Sequence, residues 1–360
     1  MAFRTEWIDD ASRLAALQEP WDRLAGVDPT PFARHAWLTA WWRAFGDGRR
    51  MRICAVSDGD ELVAALALAA PARGRTLTAM ANAHSPAFRP LARDDAGREA
   101  LADALLAAHQ PLVVPALPAR APEGRALIRA MERRGARSVL EPDYVSPVTD
   151  TVGSFDDLRT TMKKHWRELE RRGRKMRREH DVEERLVERP ADLPAELETG
   201  LALEAAGWKG RAGTAILTDN ATAAFYRDVA AAFNAAGELR FSALTMDGRL
   251  VAWDYALLHR GRYFLLKTAF DEDLRTLAPG LVLRRSVIER CFGLGLESHE
   301  FLGGDMEWKR LFATGEREHF VWRCYPPGLA GAAARRYRQA IRPRLRAAYV
   351  WARSRRGGDR

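Results

Sequence analysis

Asp305 and Lys309 stand four residues apart behind a Gly303-Gly304 pair. That spacing sets a carboxylate and an ammonium on one side of a short helix, Met306 to Phe312, so that both face one point. An Asp at a helix start with a Lys four residues on is also ordinary helix grammar, and that reading stays open. A third group, Asp254, lies inside the apolar run LVAWDYALL, where an unpaired charge is costly and the carboxyl pKa is expected to rise. On a strand it shares a face with Ala252 and Ala256, opposite Trp253 and Tyr255, which leaves room for a general base. A carboxylate tied to an Arg or a backbone amide fits the same pattern. Trp208, Lys209 and Arg211 put an indole and two cations on a Gly-punctuated loop, suited to stacking on a sugar or adenine and holding phosphate, or to closing the core. Lys267 ends a strand, and Arg275, Ala278 and Gly280 follow it as R-x-x-A-x-G. A strand that turns into a helix there aims unpaired N–H groups and the positive dipole end at one point, which suits a pyrophosphate. A phosphate-bearing cofactor is expected, although a helix simply begun by Pro-Gly is the plainer alternative. Pro279 has no N–H, which leaves Gly280, Leu281 and Val282 as the donors, and Ala278 limits close approach.

The elements that must hold these groups follow from periodicity. HAWLTAWWRAF, from His35 to Phe45, repeats its aromatics at helical spacing, and Trp37, Trp41 and Trp42 read as core. A strand, an Asp-Gly turn and a second strand come next. The plan recurs later: TAAFYRDVAAAF, ELRFSALTMDG and RLVAWDYALLH give helix, strand and hairpin partner, and SDGDELVAALAL echoes MDGRLVAWDYAL. Two copies of one α/β unit are the simplest account, although shared hairpin grammar imitates a duplication. A first lobe over residues 1–150, a second over 151–327 and a basic helical tail over 328–360, broken at Pro343, complete the expected organisation. The fold class is α/β, with mostly antiparallel mixed sheets flanked by helices.

Composition excludes several classes. A 360-residue chain with 47% hydrophobic residues and no biased tract is globular and large enough for two cores. No run approaches the roughly 20 apolar residues of a membrane span, and the first residues lack a signal-like apolar stretch, so a cytoplasmic protein is expected. Cys54, Cys291 and Cys324 are too few and too scattered for a disulfide framework and read as buried thiols, and the eight histidines show no ligand spacing, so no metal is expected. The net charge of +9 concentrates in Lys163 to Arg178 and Arg335 to Arg356. Such stripes attract phosphates, nucleic acid or anionic lipid, or are solvated helix faces. The tail, with Tyr337, Ile341, Leu345, Tyr349 and Trp351 among its arginines, is compatible with an interfacial helix at the inner face of a membrane.

The order helix, three antiparallel strands, phosphate-facing helix, strand, helix, strand resembles the GNAT acyltransferase fold, in a tandem arrangement of two lobes. The R-x-x-A-x-G at Arg275 resembles that superfamily's pyrophosphate loop, with Ala278 in place of its first Gly. W-K-G-R at Trp208, K-T-A-F at Lys267, A-P-G at Ala278, G-G-D-x-x-W-K at Gly303 and P-F-x-x-x-x-W-L at Pro31 resemble the BioF2-like acetyltransferases, often labelled CelD-like and close to the FemAB aminoacyltransferases. The likeness runs from about residue 20 to 325. It implies an N- or O-acyltransferase using acyl-CoA, with acetyl-CoA foremost, on a cell-envelope or polysaccharide precursor. Asp305 would orient or deprotonate the acceptor and Lys309 would stabilise negative charge. Trp208, Lys209, Arg211 and Lys267 would contact substrate, and Arg275, Ala278, Gly280, Leu281 and Val282 the cofactor. FemAB relatives take their acyl group from aminoacyl-tRNA, which makes tRNA an alternative partner for the stripe from Lys163. No Tyr stands on the short helix to serve as general acid, so protonation of the leaving group has no residue assigned. A degenerate, non-enzymatic scaffold at the membrane is the remaining reading.

Overall fold

The computed structural model describes residues 3–26 and 28–338. The chain forms two compact units, each discontinuous in sequence. The first, residues 3–24, 48–142 and 320–338, holds an antiparallel sheet of Arg4–Ile8, Ile53–Asp58, Glu61–Leu66 and Leu91–Ala92, with helices Asp95–Ala107 and Pro122–Arg133. Its Cys54 and Cys324 are buried thiols, as is Cys291 in the second unit.

The second unit comprises residues 25–47 and 143–319. In chain order it contains α1 (His35–Phe45), α2 (Lys163–Glu179), β1 (Val182–Glu188), α3 (Leu193–Ala206), α4 (Trp208–Arg211), α5 (Asn220–Ala235), β2 (Leu239–Met246), β3 (Arg249–His259), β4 (Arg262–Phe270), α6 (Pro279–Gly293), β5 (Ser298–Glu300) and α7 (Glu307–Arg310). Strands β1 to β4 are consecutive antiparallel neighbours. The two tight turns each carry two left-handed residues, Asp247-Gly248 and Arg260-Gly261, the conformation that matches strand twist in two-residue hairpins. β4 pairs parallel to β5, which pairs antiparallel to residues 148–150. The sheet is thus mixed and mostly antiparallel, as its hairpin-rich sequence requires.

Both faces of this sheet are covered, which explains why β3 is buried along nearly its whole length. One face meets α2 and α6. The stripe Trp166, Leu169 and Met176 of α2 packs with Val282, Leu283, Val287 and Cys291 of α6 over Ala252, Ala256 and Leu265. The other face is aromatic: Trp253, Tyr255 and Phe241 interlock, and Tyr226 of α5 lies 5.9 Å from Tyr255, edge to face. Trp37 of α1 reaches the same layer, 5.2 Å from Phe225. This contact places α1 in the second unit, whereas a boundary at residue 150 would leave it in the first lobe. The helix that the sequence pairs with the first hairpin therefore buries its aromatic face on the helix of the second copy. Trp37 and Trp41 are core residues, and Trp42 is half-buried.

Gly200 of α3 shows how tightly that layer is closed, because a Cβ there would stand 2.2 Å from the Trp253 ring. Gly200→Ala is expected to cost at least about 2 kcal/mol through overpacking. Gly293→Ala, at a site with nothing within 4 Å, should be neutral or stabilising by up to about 1 kcal/mol. Urea denaturation of both variants checks the pair, and equal stabilities would contradict this packing. The tail residues Ile341, Pro343, Leu345, Tyr349 and Trp351 lie outside the described residues. Among the described residues no helix is long and apolar enough to cross a membrane.

Candidate functional site

The site gathers where β4 and β5 part. They pair only from Arg262 to Phe264, opposite Ser298 to Glu300, after which β5 ends while β4 runs on to Phe270. A bulge at Leu266, between the pairs Tyr255 to Lys267 and Ala256 to Leu265, shifts β4 just before its functional end. Lys267 and Thr268 consequently point to opposite faces of an open strand edge.

The W-K-G-R segment is divided by the structure. Lys209 turns inward: its Nζ donates to Glu204 Oε1 at 2.8 Å and to the Thr268 carbonyl at 3.0 Å. Burial lowers its pKa, and Glu204 opposes the shift. Trp208 and Arg211 instead meet the acidic loop after β4. The Trp208 N–H donates to Glu272 Oε1 at 2.6 Å, Arg211 pairs with Glu272, and the Trp208 indole stays 48% exposed. Gly210 permits this tight turn, since a Cβ there would stand 1.8 Å from the Ala205 carbonyl. Lys267 lies over the Tyr226 ring, 4.8 Å from its centroid, and burial again depresses its pKa.

Asp305 and Lys309 do not share one point. The short helix is α7, its N-cap is Met306, and Asp305 stands one residue before it, exposed and bonded to Arg310 Nε at 2.7 and 2.8 Å. That guanidinium holds the Asp305 carboxyl below its usual range. Lys309 is buried and donates to the carbonyls of Leu302 at 2.6 Å and Gly304 at 2.8 Å. It thereby pins a segment in which Leu302 and Gly303 are left-handed. Burial pulls its pKa down to about 8, with Lys209 and Arg284 adding to the shift and Asp305 opposing it.

Of the two readings of Asp254, general base or a carboxylate tied to an Arg, the geometry favours the second. It is sealed from solvent and paired with Arg284, itself 1% exposed, so it has no open path to an acceptor. Burial pushes its carboxyl up and the guanidinium opposes the shift. Arg284 also donates to His299 Nε2 at 3.0 Å, which leaves that buried imidazole neutral, its pKa held well below the ordinary value. This network joins β3, α6 and β5 beneath the point where the strands part. Sequence reasoning missed Arg284, His299 and Glu204.

The start of α6 is also less open than the sequence implies. Ala278 is left-handed, and its carbonyl accepts the N–H groups of both Leu281 and Val282 at 3.0 Å. Neither is a free donor, which corrects the expectation for these two residues. Gly280 is set by packing, because a Cβ there would meet Phe270 at 3.2 Å. Beside it lies a cavity of about 590 Å³ lined in part by Arg211, Arg275, Arg249, Asp271, Glu272 and Asp273. Arg211 and Arg249 are already paired, with Glu272 and Asp271. Among the described residues Arg275 forms no ion pair, so one lining cation remains for an anion, without a diphosphate cradle of several amides. Among the described residues no group of three or more His, Cys, Asp or Glu could hold a metal ion.

A mixed sheet whose central strands part beside a helix start defines a GNAT-like fold. Residues 157–310 match the family model described as an acetyltransferase (GNAT) domain. FemX superposes with a TM-score of 0.57 at 10% identity, over 87% of this chain and 96% of that one. The C-terminal domain of a protein assigned as a lysylphosphatidylglycerol synthetase from Agrobacterium fabrum gives 0.55 at 12% identity, covering 89% and 95%. L-PGS from Bacillus licheniformis gives 0.51 at 12% identity, covering 87% and 91%. These similarities establish the fold. No curated protein sequence matches the chain.

Proposed function

We propose that the second unit transfers an acyl group from acyl-CoA, acetyl-CoA foremost, to an amine or hydroxyl of a cell-envelope or polysaccharide precursor. The observation that carries this reading is Lys309, a buried ammonium held by two backbone carbonyls within electrostatic reach of Lys209, which itself bonds the Thr268 carbonyl of β4. A preorganised, desolvated cation is what the charge developing on an acyl oxygen requires. The donor supplies an activated carbonyl; attack by the acceptor forms the new C–N or C–O bond as the C–S bond breaks, the sulfur leaves with the electron pair, and the proton lost by the acceptor ends on it to give the free thiol. Asp305, fixed by Arg310 and kept ionised, orients the acceptor rather than deprotonating it. Trp208 offers a stacking surface at the rim of the site. A cell-envelope acceptor is supported by the resemblance to FemAB enzymes and by a structural neighbour named for lysylphosphatidylglycerol. The inner face of the cytoplasmic membrane is the location that such an acceptor implies.

A second donor, aminoacyl-tRNA, is favoured by one observation: the N–H groups that would cradle a diphosphate are committed to Ala278. Helix α2 meanwhile presents a basic face on which Lys164, Arg167, Arg171, Arg174, Lys175, Arg177 and Arg178 are exposed, suited to a polyanion. Ligand protection distinguishes the donors. At about ten times its Kd, CoA or acetyl-CoA is expected to raise the melting midpoint by roughly 2–4 °C. No shift with any acyl-CoA, together with copurifying RNA that high salt removes, would replace the first donor by the second.

A further inference from the structure

The charges around the parting strands do not balance. Each carboxylate there has its own cation: Glu204 takes Lys209, Asp254 takes Arg284 and Asp305 takes Arg310. Among the described residues two ammonium groups, Lys309 and Lys267, form no ion pair, although Asp305 and Glu204 act on them from further off. Under the proposed reaction Lys309 is answered in the transition state, by the charge on the acyl oxygen. Lys267 is answered by nothing in the reaction. The chain gives it the face of Tyr226, a contact that offsets only part of the loss of water around an ammonium. The described residues give its Nζ no hydrogen bond, and Lys209 stands within electrostatic reach of it. Lys209 and Lys267 thus share the single carboxylate of Glu204, which is already bonded to Lys209 and to the Ile216 N–H, and a half-buried ammonium so placed is prepared for an anion from outside.

We infer that the acceptor carries an anionic group, a carboxylate or a phosphate, and that Lys267, backed by Lys209 and seated on Tyr226, is the subsite that takes it. The inference rests on the transferase reading for the word acceptor; the subsite itself is defined by ground-state binding and is tested without a donor. A ligand held there has its anionic end against the end of β4 and its nucleophile free to approach Lys309. Lys267 sets specificity and takes no part in bond making.

The probes are glutarate and inorganic phosphate, each added to the full chain at constant ionic strength. Reductive methylation read by mass spectrometry reports protection of Lys267, and calorimetry reports affinity. At least one probe is expected to slow Lys267 modification about fivefold or more, and Lys267→Met should weaken that probe about tenfold or more, as loss of a charge-assisted contact does. Lys267→Arg, which keeps the charge over Tyr226, should retain most of the binding. Protection by phosphate alone identifies a phosphorylated acceptor, and protection by glutarate alone a carboxylate-bearing one. Lys267 methylated at the same rate with and without both probes, or Lys267→Met binding as tightly as the wild type, overturns the inference. Because no donor is present, failure of acyl transfer leaves this result standing, and failure here leaves acyl transfer open.

Discussion

Lys309→Met is expected to lower the acyl-transfer rate by at least about a hundredfold, the loss seen when one preorganised donor to a developing oxyanion is removed. Lys309 also ties down the carbonyls of Leu302 and Gly304, so a lowered rate alone does not separate chemistry from loop order. The pH dependence does. Its pKa stands at about 8, against an ordinary value of 10.5. A role as cation needs the protonated form, so wild-type activity is expected to be full below about pH 7 and to fall as pH rises through 8. Lys309→Arg keeps a cation and donors for both carbonyls but titrates far higher. The ratio of wild-type to Lys309→Arg activity should therefore decline across pH 8. A ratio that rises across pH 8 would make Lys309 a general base instead.

The same shift bears on stability with a definite sign. Between about pH 8 and 10.5 the unfolded chain holds a proton at Lys309 that the folded chain has lost, so stability contributed by this group rises with pH in that window. Below it the buried ammonium costs about 3 kcal/mol relative to an unburied one. A group retained at that cost is better explained by chemistry than by folding.

The second large effect is structural. Asp254→Asn leaves Arg284 buried without its counter-ion, and the second unit is expected to lose about 3–5 kcal/mol. Replacing both partners, Asp254→Asn with Arg284→Met, removes the stranded charge and should recover most of that loss. Urea unfolding of the single and double variants measures this coupling directly. Full wild-type stability in Asp254→Asn combined with abolished activity would return Asp254 to the role of base. With the pair intact, the network of Asp254, Arg284 and His299 fixes β3, α6 and β5 at the place where β4 and β5 separate.

The strands and helices of the second unit were legible because their signals are local. The apolar runs in RYFLLKTAF and RLVAWDYALLH and the Asp247-Gly248 turn predict β3, β4 and the hairpin of β2 with β3 without knowledge of the rest. Sites depend on partners distant in sequence, and there the reading divided. Lys209, Lys267 and Lys309 do gather around one strand end, but Asp305 turned to Arg310, because a nearby exposed guanidinium competes for a carboxylate more cheaply than a buried ammonium can. For Asp254 the sequence leaves general base and Arg-tied carboxylate open together, because the arginine that decides between them lies thirty residues on. A signal for that partner existed: Arg284 falls on the helical stripe of Val287, Ile288 and Cys291, and an arginine on an apolar stripe requires a buried anion. Glu204, in line with Leu197 and Leu201 on α3, carries the same signal. The capture of the Leu281 and Val282 N–H groups follows from the left-handed Ala278, which no composition rule marks.

Release of free CoA thiol from a series of acyl-CoAs, in the presence of a panel of amino sugars and their phosphates, tests the central claim most directly. Acceptor-dependent thiol release by the wild-type chain, reduced about a hundredfold or more in Lys309→Met, is the expected result. No acceptor-dependent thiol from any acyl-CoA, or equal rates for wild type and Lys309→Met, would contradict it.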